Sequence, residues 1–178
     1  VPDAGPPGVD PRVAIVEEHV RLENGYDFPG CVATFHHARY ELVATGEVFD
    51  GPEAVDGFLA ENRRAFPDFA FAATRISPAE GGVLVEGRFT GTQQGTWRGL
   101  PPTGRRVDFP MAVLFDFEGD QMVCERLYFD LGTPLHQLGV ADDPNHLRGK
   151  ITMAVTHPLV VLRASVRGLF SRFRRRKG

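Results

Sequence analysis

The sequence predicts an α+β domain in which a curved, mainly antiparallel sheet wraps around N-terminal helices, followed by a C-terminal amphipathic helix. Two observations carry this. The apolar period is helical up to Pro67 and shortens to about 2 beyond it. The second half also holds long alternating runs joined by turn-forming residues, Gly81-Gly82, the Gly99–Gly104 loop and Gly119-Asp120.

The elements follow in order. Asp10-Pro11 starts a first helix, an acid at the cap with proline at the first helical position. Val13, Val16 and Val20 recur at helical spacing until Asn24-Gly25. A short second helix is expected over Gly30–Ala38, then a strand at Arg39–Ala44, a turn at Thr45-Gly46 and a returning strand at Glu47–Phe49. Asp50-Gly51-Pro52-Glu53 opens the clearest helix, with Val55, Phe58, Leu59 and Phe66 on its inner face and Pro67 as its stop. Four long strands are then expected at Phe69–Ser77, Val83–Gln94, Arg106–Glu118 and Gln121–Leu131.

At 178 residues the chain fits one domain with an appended element: a Pro/Gly-rich leader over 1–10, the domain over 11–141, a linker over 142–150 and a basic helix over 151–178. The leader has neither the basic nor the apolar region of a signal peptide. Cys31 and Cys124 form no disulfide framework, no Cys/His spacing suggests zinc, and cytoplasmic residence is the expectation. Charge is unevenly spread. Nine of the 20 Lys/Arg follow Asp143, the last acid, which leaves 11 against 23 Asp/Glu and about −12 for residues 1–143.

The segments RYELVATGEVFDGPEAV, AFPDF, GTQQGTWRGLPPTGR, FDFEGD, ERLYFD and HQLG together resemble the SnoaL-like polyketide cyclases of the nuclear transport factor 2-like superfamily. The resemblance spans roughly Val13 to Gly139. It implies a cone-shaped α+β barrel and a cofactor-independent cyclase or isomerase that holds an apolar, polyketide-like carbonyl compound, with no metal or organic cofactor, in a homodimer. In the family the aspartate closing the last strand is the general acid/base, and Asp130 matches it. Burial against an apolar wall would raise such a carboxyl toward the working range. Taken alone, Asp130 reads more readily as a strand-end acid capping the turn at Leu131-Gly132.

Tyr128 and Arg126 share the expected face of Asp130, and Tyr40, Phe58, Gln93, Trp97 and Phe115 complete the expected substrate-binding set. Relatives carry a histidine in the Gly-Thr-x-x-Gly motif where this chain has Gln93 and Gln94, which can orient a carbonyl but cannot titrate. Glu41, His36 and His37 read as surface residues and Cys124 as core. A non-catalytic ligand-binding or scaffold protein is the second expectation. An epoxide hydrolase with Arg126, Asp130 and either Asp116 or Asp108 around a water is the third.

In the tail, Leu159, Leu162, Val166, Leu169 and Phe173 recur at helical spacing, with Arg163, Arg167 and Arg174 on another face. The pattern suits packing on protein or peripheral contact with an anionic membrane surface. Nucleic acid is disfavoured, because the aromatic stacking platforms of RNA-binding modules are missing.

Overall fold

The structure is a computed structural model; it describes residues 10–142, 146–160 and 162–163. They fall into two compact units, one ending at Leu138 and one beginning at Gly139.

The first unit opens with α1 (Pro11–Asn24), and Asp10 accepts a hydrogen bond from the Arg12 backbone N–H at 3.0 Å, as the Asp-Pro start predicts. α2 (Phe28–Ala33) lies earlier than expected because Asp27, followed by proline in the first turn, supplies the stronger start. Next come β1 (Arg39–Leu42), β2 (Glu47–Asp50), α3 (Pro52–Ala65), β3 (Ala70–Ala79), β4 (Gly82–Thr92), β5 (Arg106–Glu118) and β6 (Gln121–Phe129). A short helix without a strong sequence signal, α4 (Gly132–Gln137), closes the unit.

The strands form one sheet in the order β2-β1-β6-β5-β4-β3. All neighbours are antiparallel except β1 and β6, so the helices α1 to α3 and the first hairpin bring the N-terminal strand beside the C-terminal one. That parallel pairing sets Tyr40 opposite Glu125 and Leu42 opposite Leu127. Along β5 every second residue from Val107 to Phe117 is buried, and this inner face meets Val16 of α1, Cys31 of α2 and Val55 and Leu59 of α3 in the core.

The inner face carries a ladder of rings across the sheet. Phe69 stacks on Phe89 at 5.9 Å, Phe89 on Phe109 at 5.2 Å, and Phe109 meets Phe129 at 5.6 Å. Phe89 and Phe109 are direct cross-strand partners, a pairing worth about 0.5–1.5 kcal/mol beyond area burial.

The second unit holds α5 (Leu147–Thr156), which begins inside the expected linker over 142–150. His157 ends it just ahead of Pro158, within the basic helix expected over 151–178. Thr152 and Arg148 reach the Asp142 carboxylate at 2.7 and 3.2 Å. Val166, Leu169 and Phe173 of the expected basic helix lie outside the described residues. Among the described residues no helix is long and apolar enough to cross a membrane.

Candidate functional site

The inner face and the helices line a cavity that opens to solvent. Ten aromatic side chains line it, among them the four ladder rings, Phe58 of α3 and Trp97. The polar lining is small: Glu23, Glu47, Glu61, Asn62, Arg98 and Glu125.

Two of these, Glu23 and Glu125, belong to a buried polar cluster centred on His19, which is 0% exposed. His19 sits on the buried face of α1, three residues after Val16 and four before Glu23, so helical spacing delivers all three to the core side. Its Nδ1 lies 2.7 Å from Thr34 Oγ1, and that hydroxyl donates its own hydrogen to the Cys31 carbonyl at 2.7 Å. The hydroxyl therefore accepts from His19, and Nδ1 carries a proton. Nε2 then faces Glu125 Oε2 at 3.0 Å and the Tyr40 hydroxyl at 3.0 Å, with Glu23 Oε2 at 3.9 Å.

Electrostatics follow from this crowding. Burial alone would lower the His19 pKa, but hydrogen bonds with Cys31 and Glu125 and the Glu125 charge outweigh it and push it up to about 10. His19 is thus an imidazolium that donates Nε2–H to Glu125. Burial, with the nearby Glu125 carboxylate, raises Glu23 to about 8, against the opposing pull of His19. Burial likewise raises the Cys31 thiol and lifts the Tyr40 phenol well above its ordinary value. The cluster thus sets Glu125, paired with the His19 cation, beside Glu23, whose carboxyl keeps its proton near neutral pH, both on the cavity wall.

His19, Glu23 and Cys31 also place metal-ligating atom types within 4.8 Å of one another. The imidazole does not fit a ligand role as it stands, since Nδ1–H is committed to Thr34 and Nε2 to Glu125 and Tyr40.

The expected site residues divide. Phe58, Trp97 and Phe115 line the cavity. Tyr40 lies fully buried behind it, bonded to His19. Gln93 is also fully buried, but its amide holds the loop beyond it: Nε2 faces the carbonyls of Gly95, Leu100 and Pro101 at 3.2–3.3 Å, and Oε1 accepts from the Thr103 backbone N–H and hydroxyl. This loop carries Trp97 and Arg98 to the mouth, where Arg98 pairs with Glu47 of β2. Arg98 at φ 51° and Gly99 at φ 78° make the tight reversal between Trp97 and Leu100.

The expectation for β6 is corrected. Glu125, Leu127 and Phe129 face the cavity, and Arg126, Tyr128 and Asp130 do not. Arg126 lies between Glu41 at 2.9 Å and Asp116 at 2.7 Å on the outer face, and Tyr128 is 41% exposed. Asp130 is exposed, and its carboxylate accepts from Gly132 N, Thr133 N and Thr133 Oγ1 at 2.7–3.1 Å in the first turn of α4. The Thr133 hydroxyl and these backbone donors hold it below the usual aspartate range. The triad expected for epoxide opening is likewise not assembled: Asp108 pairs with Arg88, and Arg126 with Asp116 lies away from the cavity.

Glu125 and Glu23 are the functional candidates that sequence reasoning missed, with His19 behind them. Two local signals were present. Glu125, Leu127 and Phe129 alternate as an inner face, and Val16, His19 and Glu23 share one side of α1.

Comparison with known proteins fits this architecture. A search of curated protein sequences returns no match. Among solved structures, a candidate SnoaL-like polyketide cyclase from Jannaschia sp. CCS1 is similar at TM-score 0.66 and 23% identity, over 79% of this chain and 99% of that one. A nuclear transport factor 2-like protein of unknown function from Burkholderia pseudomallei gives 0.63 and 16%, over 73% and 98%. A hypothetical protein with a ketosteroid isomerase-like fold from Catenulispora acidiphila, in complex with trimethylamine, gives 0.61 and 21%, over 71% and 92%. These likenesses establish the fold. The family model of the SnoaL-like polyketide cyclases matches residues 18–138, from the middle of α1 to the end of α4, and the chain belongs to that family.

Proposed function

We propose that this protein is an acid–base catalyst needing no organic cofactor, acting on an apolar carbonyl compound as a cyclase or isomerase. The observation that carries the reading is the pairing, on one apolar wall, of a carboxylate held by a buried imidazolium with a second carboxyl raised to about 8. Two carboxyl groups with opposite protonation states at one site can divide the work of base and acid.

In this reading Glu125 takes the proton α to a carbonyl, and the carbanion is delocalised as an enolate. In a cyclisation that carbon attacks a second carbonyl of the same molecule, and Glu23 delivers its proton to the new alkoxide. Glu125 ends protonated and Glu23 ionised. His19 Nε2, at 3.0 and 3.9 Å from the two, lies where it can pass the proton back. In an isomerisation the same pair removes and returns a proton at different carbons. The aromatic wall excludes water and orients a flat substrate. Asp130 stands outside this scheme, engaged in the turn into α4.

The test is hydrogen–deuterium exchange at the α carbons of 2-tetralone, an apolar bicyclic ketone, followed by NMR in heavy water. Protein-dependent exchange is expected to fall by about 10²-fold or more in Glu125→Gln and in Glu23→Gln. Exchange that survives both substitutions unchanged would sink the assignment. The second reading, a binding protein without turnover, is favoured by the dominance of aromatic lining over polar groups, and ligand binding without any exchange would support it.

A further inference from the structure

We infer that the cavity is built for a substrate bearing a positively charged nitrogen, a protonated or quaternary amine set in an apolar skeleton. This rests on the acid–base reading of the same cavity and adds the charge of what enters it. Four acidic side chains line the wall, Glu23, Glu47, Glu61 and Glu125, against one guanidinium, Arg98. Arg98 is already committed to Glu47 at the mouth, and the buried charge of His19 is matched by Glu125. Among the described lining residues, therefore, no cation is left over for an anionic ligand, while Glu23 shares the single charge of His19 with Glu125 and Glu61 faces no cation of the wall.

The rest of the wall suits a cation equally well. Aromatic faces attract a cation by about 0.5–2 kcal/mol each when water is excluded, and here they surround the space from several sides: Phe49 and Phe58 stacked at 4.5 Å, the Phe89–Phe109 pair, and Trp97 near the mouth. A carboxylate or phosphate would meet the negative faces of these rings and the acids together. A neutral ligand would offer no charge to Glu61, and none to Glu23 once that carboxyl ionises above about pH 8.

Glu23 is the group a bound cation would feel most directly inside the cavity. It is faced by His19 on its own helix, Cys31 of α2, Tyr40 of β1 and Glu125 of β6, with Glu61 and the Glu47–Arg98 pair on the same cavity wall. A permanent cation beside it favours its ionised form, so binding releases a proton and tightens as pH rises through about 8.

The experiment is calorimetric titration of the full chain with choline and with its neutral isostere 3,3-dimethylbutan-1-ol, at about pH 6.5 and about pH 9. Choline keeps its charge throughout, so any pH effect belongs to the protein. Choline is expected to bind tighter than the alcohol at both values, with its advantage growing roughly tenfold for each unit by which the cation lowers the Glu23 carboxyl. Glu23→Gln should flatten that growth, and Phe58→Leu should weaken choline more than the alcohol. The inference is overturned if the alcohol binds as tightly as choline at both pH values, or if choline does not bind. Because 2-tetralone is neutral, its Glu23-dependent exchange would survive such a result, so the acid–base reading and the substrate charge fail separately.

Discussion

His19 Nε2 and Glu125 Oε2 lie 3.0 Å apart, 106 residues distant in sequence and almost completely shielded from solvent. The pair exists because β1 lies parallel to β6 and places Tyr40 beside Glu125, while α1 lays His19 over both. Thr34 fixes the other ring nitrogen as a donor. A buried ion pair of this kind is weak support for the fold relative to an apolar replacement, yet costly to break from one side. Its retention on a cavity wall is thus better explained by chemistry than by stability.

Removing one partner should expose that cost. Glu125→Gln is expected to destabilise the fold by about 3 kcal/mol and to lower the His19 pKa from about 10. Nitrogen-15 NMR of the imidazole reads this directly: at pH 8 the wild-type ring should show two protonated nitrogens and the variant one. A variant ring that stays doubly protonated at pH 8 would mean that Glu125 does not hold the charge.

The same groups set a pH dependence of stability. Glu23 is raised from 4.5 to about 8 in the folded chain and His19 from 6.5 to about 10. The folded state therefore binds more protons than the unfolded one across these intervals, and stability falls as pH rises through them. The Glu23 contribution is full below about 4.5 and lost by about 8, the His19 contribution full below about 6.5 and lost by about 10. Glu41, held low by Arg39 and Arg126, acts in the opposite sense, and its contribution disappears only in acid. Denaturant midpoints from pH 5 to 8 should decline in the wild type by an amount on the order of a few kcal/mol. Glu23→Gln should remove most of that decline, and an equal slope in both proteins would refute the assignment.

Asp130 offers the sharpest separation between family expectation and geometry. Asp130→Asn retains an acceptor for Gly132 and Thr133 and should leave stability close to wild type, whereas Asp130→Ala should lower the thermal midpoint slightly by freeing the first turn of α4. Both should keep 2-tetralone exchange within about twofold of wild type, less than about 0.5 kcal/mol of barrier. A loss in Asp130→Asn comparable to that in Glu125→Gln would return the catalytic role to Asp130.

The architecture was legible because its signals are local: Asp10-Pro11, Pro67, Gly119-Asp120 and the alternation of β5 each act within a few residues. The site was not, for two physical reasons. On β6 the register shifts between Asp116 and Phe117, so Met122 faces Phe117 while Cys124 faces Asp116, and Val123 is the extra residue. Counting faces across such a bulge reverses them; the family match of Asp130 set Arg126 and Tyr128 on its face, whereas Glu125, Leu127 and Phe129 are the residues that face inward. The second reason concerns distance. His19 and Glu23 at i and i+4 look like any exposed helical pair, and only the tertiary partner Glu125 tells them apart.

Gln93 provides the last prediction, because its role differs from the one its motif suggests. Its side chain stands behind the cavity wall and serves the carbonyls of Gly95, Leu100 and Pro101 and the Thr103 N–H. The strand end itself is pinned to α3 through the Gln94 and Gly95 N–H groups on the Ala65 carbonyl, and a Cβ at Gly95 would lie 2.2 Å from the Arg64 carbonyl oxygen. The Trp97 wall and the Arg98–Glu47 closure thus stand on a base that Gln93 satisfies. Gln93→Leu matches its bulk but leaves those buried groups unpaired, at a cost on the order of 3 kcal/mol. Trp97, the single tryptophan, should then report a more solvated environment through a red-shifted emission. Gln93→Glu, which keeps the Thr103 contacts and loses the donors to three carbonyls, should fall between. A Gln93→Leu protein with unchanged Trp97 emission and stability would show that the loop is held by its own turns alone.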